Sequence, residues 1–236
     1  MQNDAYITQS LNISEVQKRF ITKVYGWMCA ALLTTGLVSY YTISNDNLMQ
    51  RIFQSPVLLI GLIIVELALV MILSAAINKL SSQAATGLFF LYSALTGVTI
   101  SVVVLVYTKE SITSTFLITA GTFGAMSFYG YVTKRDLTSI GNLAFMGLIG
   151  IIIASIVNIF IQSTSLYTII TYIGVLVFVG LTAYDTQKLK NMAMTQPVDA
   201  DGAVVRKGAI LGALSLYLDF INLFLMLLRI FGQSRD

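Results

Sequence analysis

The sequence lacks several residues on which enzymes and secreted domains depend. Its 236 residues include no histidine, two prolines and a single cysteine, Cys29. The absence of histidine excludes histidine metal sites, Ser–His and Cys–His nucleophile pairs, and the usual pH switch near neutrality. One cysteine cannot form an intramolecular disulfide, and the apolar residues around Cys29 predict a buried, inert thiol. Any proton chemistry in this chain must therefore use carboxylates.

Charge is also scarce. Charged residues make up 11% of the chain, whereas soluble domains carry roughly 25%. Hydrophobic residues make up 56%, and the mean hydropathy is +0.82. The net charge of +3 is dispersed and offers no patch for nucleic acid. We therefore expect an all-α integral membrane protein whose main surroundings are the lipid bilayer, with no soluble domain, no nucleic-acid partner and, in its polar first 19 residues, no signal peptide.

Apolar stretches long enough to cross a bilayer, about 20 residues each, occur seven times. They are residues 24–43, 57–77, 84–106, 112–132, 140–161, 167–184 and 209–230. Because lipid cannot satisfy backbone polar groups, each stretch should be a helix. The sequence thus predicts a seven-transmembrane-helix bundle as a membrane domain over 24–232. Ser55 and Pro56 suit the start of the second helix.

Three other segments complete this predicted organisation. Residues 1–23 should form a cytoplasmic segment with an interfacial amphipathic helix, because Ser14-Glu15-Val16-Gln17 has the pattern of a capping box at a helix start. Residues 186–208 read as a turn-rich loop, and residues 233–236 as a tail.

Orientation follows from the positive charges, which favour the cytoplasmic side. With the N-terminus inside, ten cations lie on the cytoplasmic side: Lys18, Arg19, Lys23, Lys79, Lys134, Arg135, Lys188, Lys190, Arg206 and Lys207. Four lie opposite: Arg51, Lys109, Arg229 and Arg235. The split predicts a multi-pass protein of the plasma (inner) membrane with its N-terminus in the cytoplasm and its C-terminus on the other side.

Three acids lie within or at the end of the apolar stretches: Glu66, Asp185 and Asp219. An ionised side chain at mid-membrane costs about 2.5–3.5 kcal/mol on insertion scales, and no stretch interior offers a cation as partner. If the sixth helix continues through Leu189, Asp185 could face Asp219 on the antiparallel seventh helix, and the two would share a proton and titrate as a pair. Alternatively, each acid is protonated and bonded to a neighbouring helix. Asp219 must avoid lipid, so the last helix should be central.

Two motifs around these aspartates resemble a known family. They are Gly180-Leu-Thr-Ala-Tyr-Asp-Thr-Gln-Lys-Leu-Lys190 and Ala213-Leu-Ser-Leu-Tyr-Leu-Asp-Phe-Ile-Asn-Leu-Phe224. Together with Phe116–Met126, Thr133–Leu137 and Leu228–Gly232, they are similar to the bacterial branch of the Bax inhibitor-1, or transmembrane Bax-inhibitor-motif, family. The similarity extends over about residues 15–232.

The resemblance implies a seven-helix fold with the last helix central and a pH-gated calcium leak. It implies that Asp185 and Asp219 form the gating and proton-sensing pair, and that Glu66 lies on the ion pathway. Some members carry an arginine near this pair, where this chain has Ile77; the nearest cation, Lys79, is then the candidate partner of the latch. The three acids are the candidate calcium ligands, calcium being the transported ion, and no other cofactor is expected.

Two further functions remain open. Some bacterial relatives are described as modulators of a membrane-anchored AAA protease, which would make residues 1–14 the segment to watch. Intramembrane aspartyl proteases pair a Tyr-Asp with a second aspartate, as Tyr184-Asp185 and Asp219 do. Their second aspartate follows Gly-x-Gly, whereas Leu216-Tyr217-Leu218 stands here. We therefore do not expect an enzyme.

Overall fold

A computed structural model describes residues 2–195 and 202–235, with the side chains of 15, 17–52, 55–194 and 202–235. This part of the chain forms eight α-helices. They are α1 (Gln2–Ile43), α2 (Asp46–Gln54), α3 (Pro56–Ala76), α4 (Ser82–Val106), α5 (Lys109–Val132), α6 (Thr138–Ile161), α7 (Thr164–Thr195) and α8 (Gly202–Phe231). Ser55 caps α3 by accepting a hydrogen bond from the Leu58 amide, and Pro56 occupies its first turn, as predicted.

Six helices of the described chain are long and apolar enough to cross a membrane. They are the segment Gln17–Ile43 of α1, all of α3, α4, α6 and α8, and the segment Thr164–Met194 of α7. Their outer faces expose large apolar side chains such as Leu143 and Phe160, the latter 82% exposed. Since soluble proteins rarely expose extended apolar surfaces, the prediction of an all-α integral membrane protein is confirmed.

The seventh predicted span, α5, differs from these six. It has 24 residues, about 36 Å at about 1.5 Å per residue, which is enough to cross a bilayer. It falls below the apolarity of the others because hydroxyl residues occupy much of its length. The count of seven spans therefore stays a prediction at α5, as does the side on which each terminus lies.

The start of the first helix was predicted wrongly. Helix α1 is already helical at Gln2, so the supposed capping box lies inside the helix, and the segment before residue 24 runs without a break into the first predicted span. The location of this segment at the membrane surface stays a prediction. Glu15 instead receives a hydrogen bond from Arg19, one turn later, at 2.6 Å. Such pairs between residues four apart stabilise a continuous helix.

Cys29 was also predicted wrongly, since its side chain is exposed. The buried face of α1 carries Phe20, Val24 and Met28 at four-residue spacing. Cys29 is one residue, or 100°, away from that face. An apolar neighbourhood in the sequence of a membrane helix does not separate the packed face from the lipid face.

Helix α2 was not predicted because its nine residues are too few for a span. Asn45 begins it by accepting a hydrogen bond from the Leu48 amide. Met49 and Ile52, on one face, are buried.

Helix α7 continues through residues predicted to form a loop. It ends at Thr195, and α8 begins at Gly202, so only residues 196–201 of the predicted loop 186–208 lie outside the described residues. The polar side chain of Gln187, within this continuation of α7, serves a structural purpose. Its carbonyl oxygen accepts a hydrogen bond from the Leu137 amide at 2.9 Å, and its amide donates to the Arg135 carbonyl at 2.8 Å.

The chain divides into two compact units. The first contains Met1–Val106 and Lys190–Leu214. Here α1 and α4 approach closely. Thr35 donates a hydrogen bond from Oγ1 to the Ser93 carbonyl at 2.8 Å. Gly97 lies so close to α1 that a Cβ on Gly97 would come within 2.6 Å of the Thr35 carbonyl oxygen. Small residues at helix contacts allow this approach in membranes.

The second unit contains Tyr107–Leu189 and Ser215–Asp236. Helix α5 packs on α8 through aromatic rings, Phe123 against Phe220 at 5.4 Å and Phe116 against Phe224 at 6.3 Å. The chain after α8 pairs with the α4–α5 connection, where the Thr108 amide donates to the Gln233 carbonyl at 3.0 Å. These contacts fix the end of α8 against the start of α5.

Candidate functional site: a carboxylate pair on α7 and α8

Asp219 is the most enclosed of the three predicted acids. It lies on α8, the helix with the largest buried share, 67%, among the described candidate spans. Its side chain is 4% exposed, and its Oδ2 has no hydrogen-bond partner among the described residues. That the last helix is central stays a prediction.

Asp185 is the neighbour of Asp219. Both lie in the second unit, and the charge of Asp185 acts directly on the Asp219 carboxyl. The structure thus brings together the two aspartates that the sequence paired, on α7 and α8. Asp185 itself is half-buried.

Two residues beside Asp185 were missed by sequence reasoning. The Ser215 hydroxyl hydrogen-bonds to the Asp185 carboxylate, and Lys188 places a positive charge near it without a salt bridge among the described residues. The expectation that the acids lack a cation partner within the spans stays a prediction, because Lys188 acts on Asp185 only as a nearby charge. Lys188 follows Asp185 by three residues, and residues three apart share a helix face, so its position could be read from the sequence if the helix was taken to continue through Leu189.

Glu66 lies in the first unit, on α3. It is half-buried and receives a short hydrogen bond, 2.5 Å, from Thr99 Oγ1 on α4. The buried Tyr92, also on α4, lies close enough for its hydroxyl to sense the charge of Glu66. Glu66 is thus held against the polar side of α4.

Lys79, the predicted cation of the latch, is exposed and forms no ion pair within the described residues. Ile77 is buried. A different cation serves this turn: Lys207 Nζ donates to the carbonyls of Asn78 and Leu80, at 3.2 and 2.9 Å. Lys207 therefore holds the end of α3 against the first turns of α8.

The described residues contain no cluster of three acidic or thiol side chains that could hold a metal ion. A calcium ion takes six to eight oxygen ligands. If one binds at the aspartate pair, most of its ligands must be hydroxyl groups, backbone carbonyls or water.

Comparison with known proteins identifies the family. Residues 17–236 match the family described as "Inhibitor of apoptosis-promoting Bax1". The chain is 59% identical to inner membrane protein YbhL of Escherichia coli over 92% of both chains. It is 45% identical to an uncharacterized protein of Borreliella burgdorferi over 98% of both chains. It is also 43% identical to uncharacterized protein RP147 of Rickettsia prowazekii, over 97% of this chain and 95% of the relative. These matches cover nearly the whole chain, which therefore belongs to the Bax inhibitor-1 family.

Proposed function

We propose that this protein is a pH-sensitive cation leak of the inner membrane, with calcium as the transported ion and the pair Asp185–Asp219 as its gate. The inner-membrane location follows from the similarity to YbhL, an inner membrane protein. One observation carries the gate: within the part of the chain that the structure describes, the buried Asp219 keeps an oxygen without a hydrogen-bond partner beside a second carboxyl group.

The chemistry of such a pair favours two states. With one proton between them, the two carboxyl groups are joined by a hydrogen bond, and α7 and α8 are held together. When both ionise, the like charges repel, and separation of the helices opens a path. Asp219 is the more deeply buried of the two carboxyl groups, and burial disfavours the charged form of an acid, so we assign the shared proton to Asp219.

Glu66 is proposed as a second oxygen site on the ion pathway. Hard cations prefer oxygen ligands, and Glu66 with Thr99 provides a carboxylate and a hydroxyl in contact. Because Glu66 is half-buried and not sealed in a core, an ion can exchange with it.

Calcium flux into proteoliposomes, measured over a range of pH, tests this function. Asp185→Asn and Asp219→Asn should abolish the pH dependence, and Glu66→Gln should reduce the flux. Glu110→Gln, which alters an exposed acid in the first turn of α5, is the matched control and should behave as wild type. Flux that is unchanged in all three site variants contradicts the proposal.

A second role rests on α1. Its helix extends from Gln2 to the span beginning at Gln17, which gives a helical segment ahead of the membrane for contact with another protein, such as a membrane-anchored AAA protease. Deleting residues 1–14 should then alter proteolysis of a membrane substrate without changing calcium flux. A transmembrane reporter whose cleavage depends on Asp219 would instead assign intramembrane proteolysis.

A further inference from the structure

The inward face of α5 is lined with hydroxyl groups. Buried positions recur every four residues along it, at Ser111, Thr115, Thr119, Phe123 and Ser127. Residues four apart lie on the same side of a helix, and four of these five carry a hydroxyl. The hydroxyl residues that make α5 less apolar therefore include four whose side chains face protein.

Two of these hydroxyls have no partner. Thr115 is 0% exposed and Ser127 is 7% exposed, yet neither Oγ has a hydrogen-bond partner among the described residues. The usual solution in a dry helix is a bond to the carbonyl four residues earlier, as Thr119 makes to Thr115 at 2.8 Å and Thr182 makes to Phe178 at 2.7 Å. Unpaired buried hydroxyls are costly, and they indicate a ligand such as water or an ion.

The register of α5 against α8 relates this face to Asp219. Three contacts define an antiparallel pairing: Ser111 with Gln233, Phe116 with Phe224, and Phe123 with Phe220. In this register Asp219, whose Oδ2 is also unpartnered, lies at a level between Thr119 and Ser127. Unpaired oxygens therefore occur on α5 on both sides of the level of Asp219.

The far end of this face meets α7. A Cβ at Gly130 would come within 2.2 Å of the Ala183 carbonyl oxygen, so the two backbones touch there. Ala183 precedes Asp185 by two residues. The hydroxyl face therefore runs from the start of α5 to the neighbourhood of the aspartate pair and is closed by α7.

We propose that the hydroxyl face of α5, from Ser111 to Ser127, binds a file of water molecules and the hydrated hard cation that moves toward Asp219. This inference rests on the proposed function and names the wall of its pathway. A hydroxyl both donates and accepts hydrogen bonds, so it can order water. Neutral oxygens also replace part of a hydration shell while binding an ion weakly enough to release it.

Flux through Thr115→Val and Ser127→Ala tests the proposal. Both variants keep the approximate side-chain volume and remove an unpaired hydroxyl. We expect flux to fall about tenfold, which corresponds to a barrier higher by about 1.4 kcal/mol. Thr113→Val changes an exposed threonine of the same helix and should conduct as wild type. A purely structural role predicts no such loss, because removing an unpaired buried hydroxyl leaves thermal stability unchanged or higher.

Thiol labelling gives a measurement that does not depend on flux. In a Cys29→Ser background, Ser127→Cys should react with a water-soluble methanethiosulfonate reagent, since the reactive thiolate requires water. Ile118→Cys, on the exposed apolar side of α5, should remain unlabelled.

The two measurements separate the two ideas. If wild type shows no flux but Ser127→Cys is labelled, the hydrated face stands and the leak function is wrong. The opposite result is that wild type conducts and Asp219→Asn abolishes the pH dependence, while both α5 variants conduct normally and Ser127→Cys is not labelled. In that case the leak function stands and the proposed hydroxyl path is wrong.

Discussion

The contact between α5 and α7 at Gly130 makes a sharp prediction for Gly130→Ala. The added Cβ would lie 2.2 Å from the oxygen, 2.9 Å from the carbonyl carbon and 3.0 Å from the Cα of Ala183. All three are backbone atoms of a helix, so none can move aside by a change of rotamer. The two helices must separate to admit one methyl group.

Two opposing effects set the size of the change. Alanine favours a helix over glycine by about 0.8–1 kcal/mol. Overpacking of a tight contact costs about 1–3 kcal/mol, more when the neighbours are rigid. The clash outweighs the helix preference here, and we expect Gly130→Ala to lower the free energy of unfolding by about 1–2 kcal/mol. For a chain of this size that is a decrease of about 2–8 °C in Tm.

The same helix provides a matched control. A Cβ at Gly121 would have no heavy atom within 4 Å, so Gly121→Ala gains the helix preference alone and should be more stable by about 0.5–1 kcal/mol. Thermal unfolding of both purified variants in one detergent measures the difference. If Gly130→Ala melts at or above the temperature of Gly121→Ala, the backbone contact between α5 and α7 is not present as described.

Three other predictions follow from the structure. Thr99→Val removes the hydroxyl that bonds Glu66 and should lower the free energy of unfolding by about 1 kcal/mol, measured in mixed micelles; no change would mean that the bond contributes nothing. Lys207→Met keeps the apolar stem but leaves two carbonyls of the turn after α3 without their cation, so its Tm should fall while that of Lys79→Met stays at the wild-type value. Hydrogen bonds donated by the side chain and backbone two residues later lower the pKa of Asp136, which is outside the spans. The contribution of Asp136 to stability is therefore present above its unfolded-state pKa and is lost as pH falls through its lower folded-state pKa. Asp136→Asn should then show a smaller decrease in Tm at acid pH than wild type. Identical profiles of Tm against pH for the two proteins would refute this.

The sequence predicts most of this fold because lipid allows few solutions. An apolar stretch of about 20 residues must be helical in a bilayer, and each of the seven predicted stretches is a helix. Pro56 correctly indicated the start of a helix, because proline fits the first turn of a helix. The end of α7 was less accessible to prediction, because the sequence after Thr186 is less apolar and does not show that Gln187 bonds to the backbone at 135–137.

The site was predictable to the extent that burial cost reveals it. Asp219 stood out because an acid in an apolar helix must find protein or water. Lys188 and Ser215 did not stand out, because their relation to Asp185 depends on how far α7 continues and on the register between α7 and α8. The hydroxyls of α5 carried a readable signal in their four-residue spacing, but a pattern of hydroxyls does not show which of them lack a partner.

The polarity of α5 has a consequence for how the protein is made. The helix begins with Lys109 and Glu110 and carries the buried hydroxyl face, so its free energy of insertion from the translocon is less favourable than that of the helices around it. Only Tyr107 and Thr108 separate it from the apolar α4. We expect α4 and α5 to leave the translocon together during synthesis, and the side of the membrane reached by every later segment depends on that joint step.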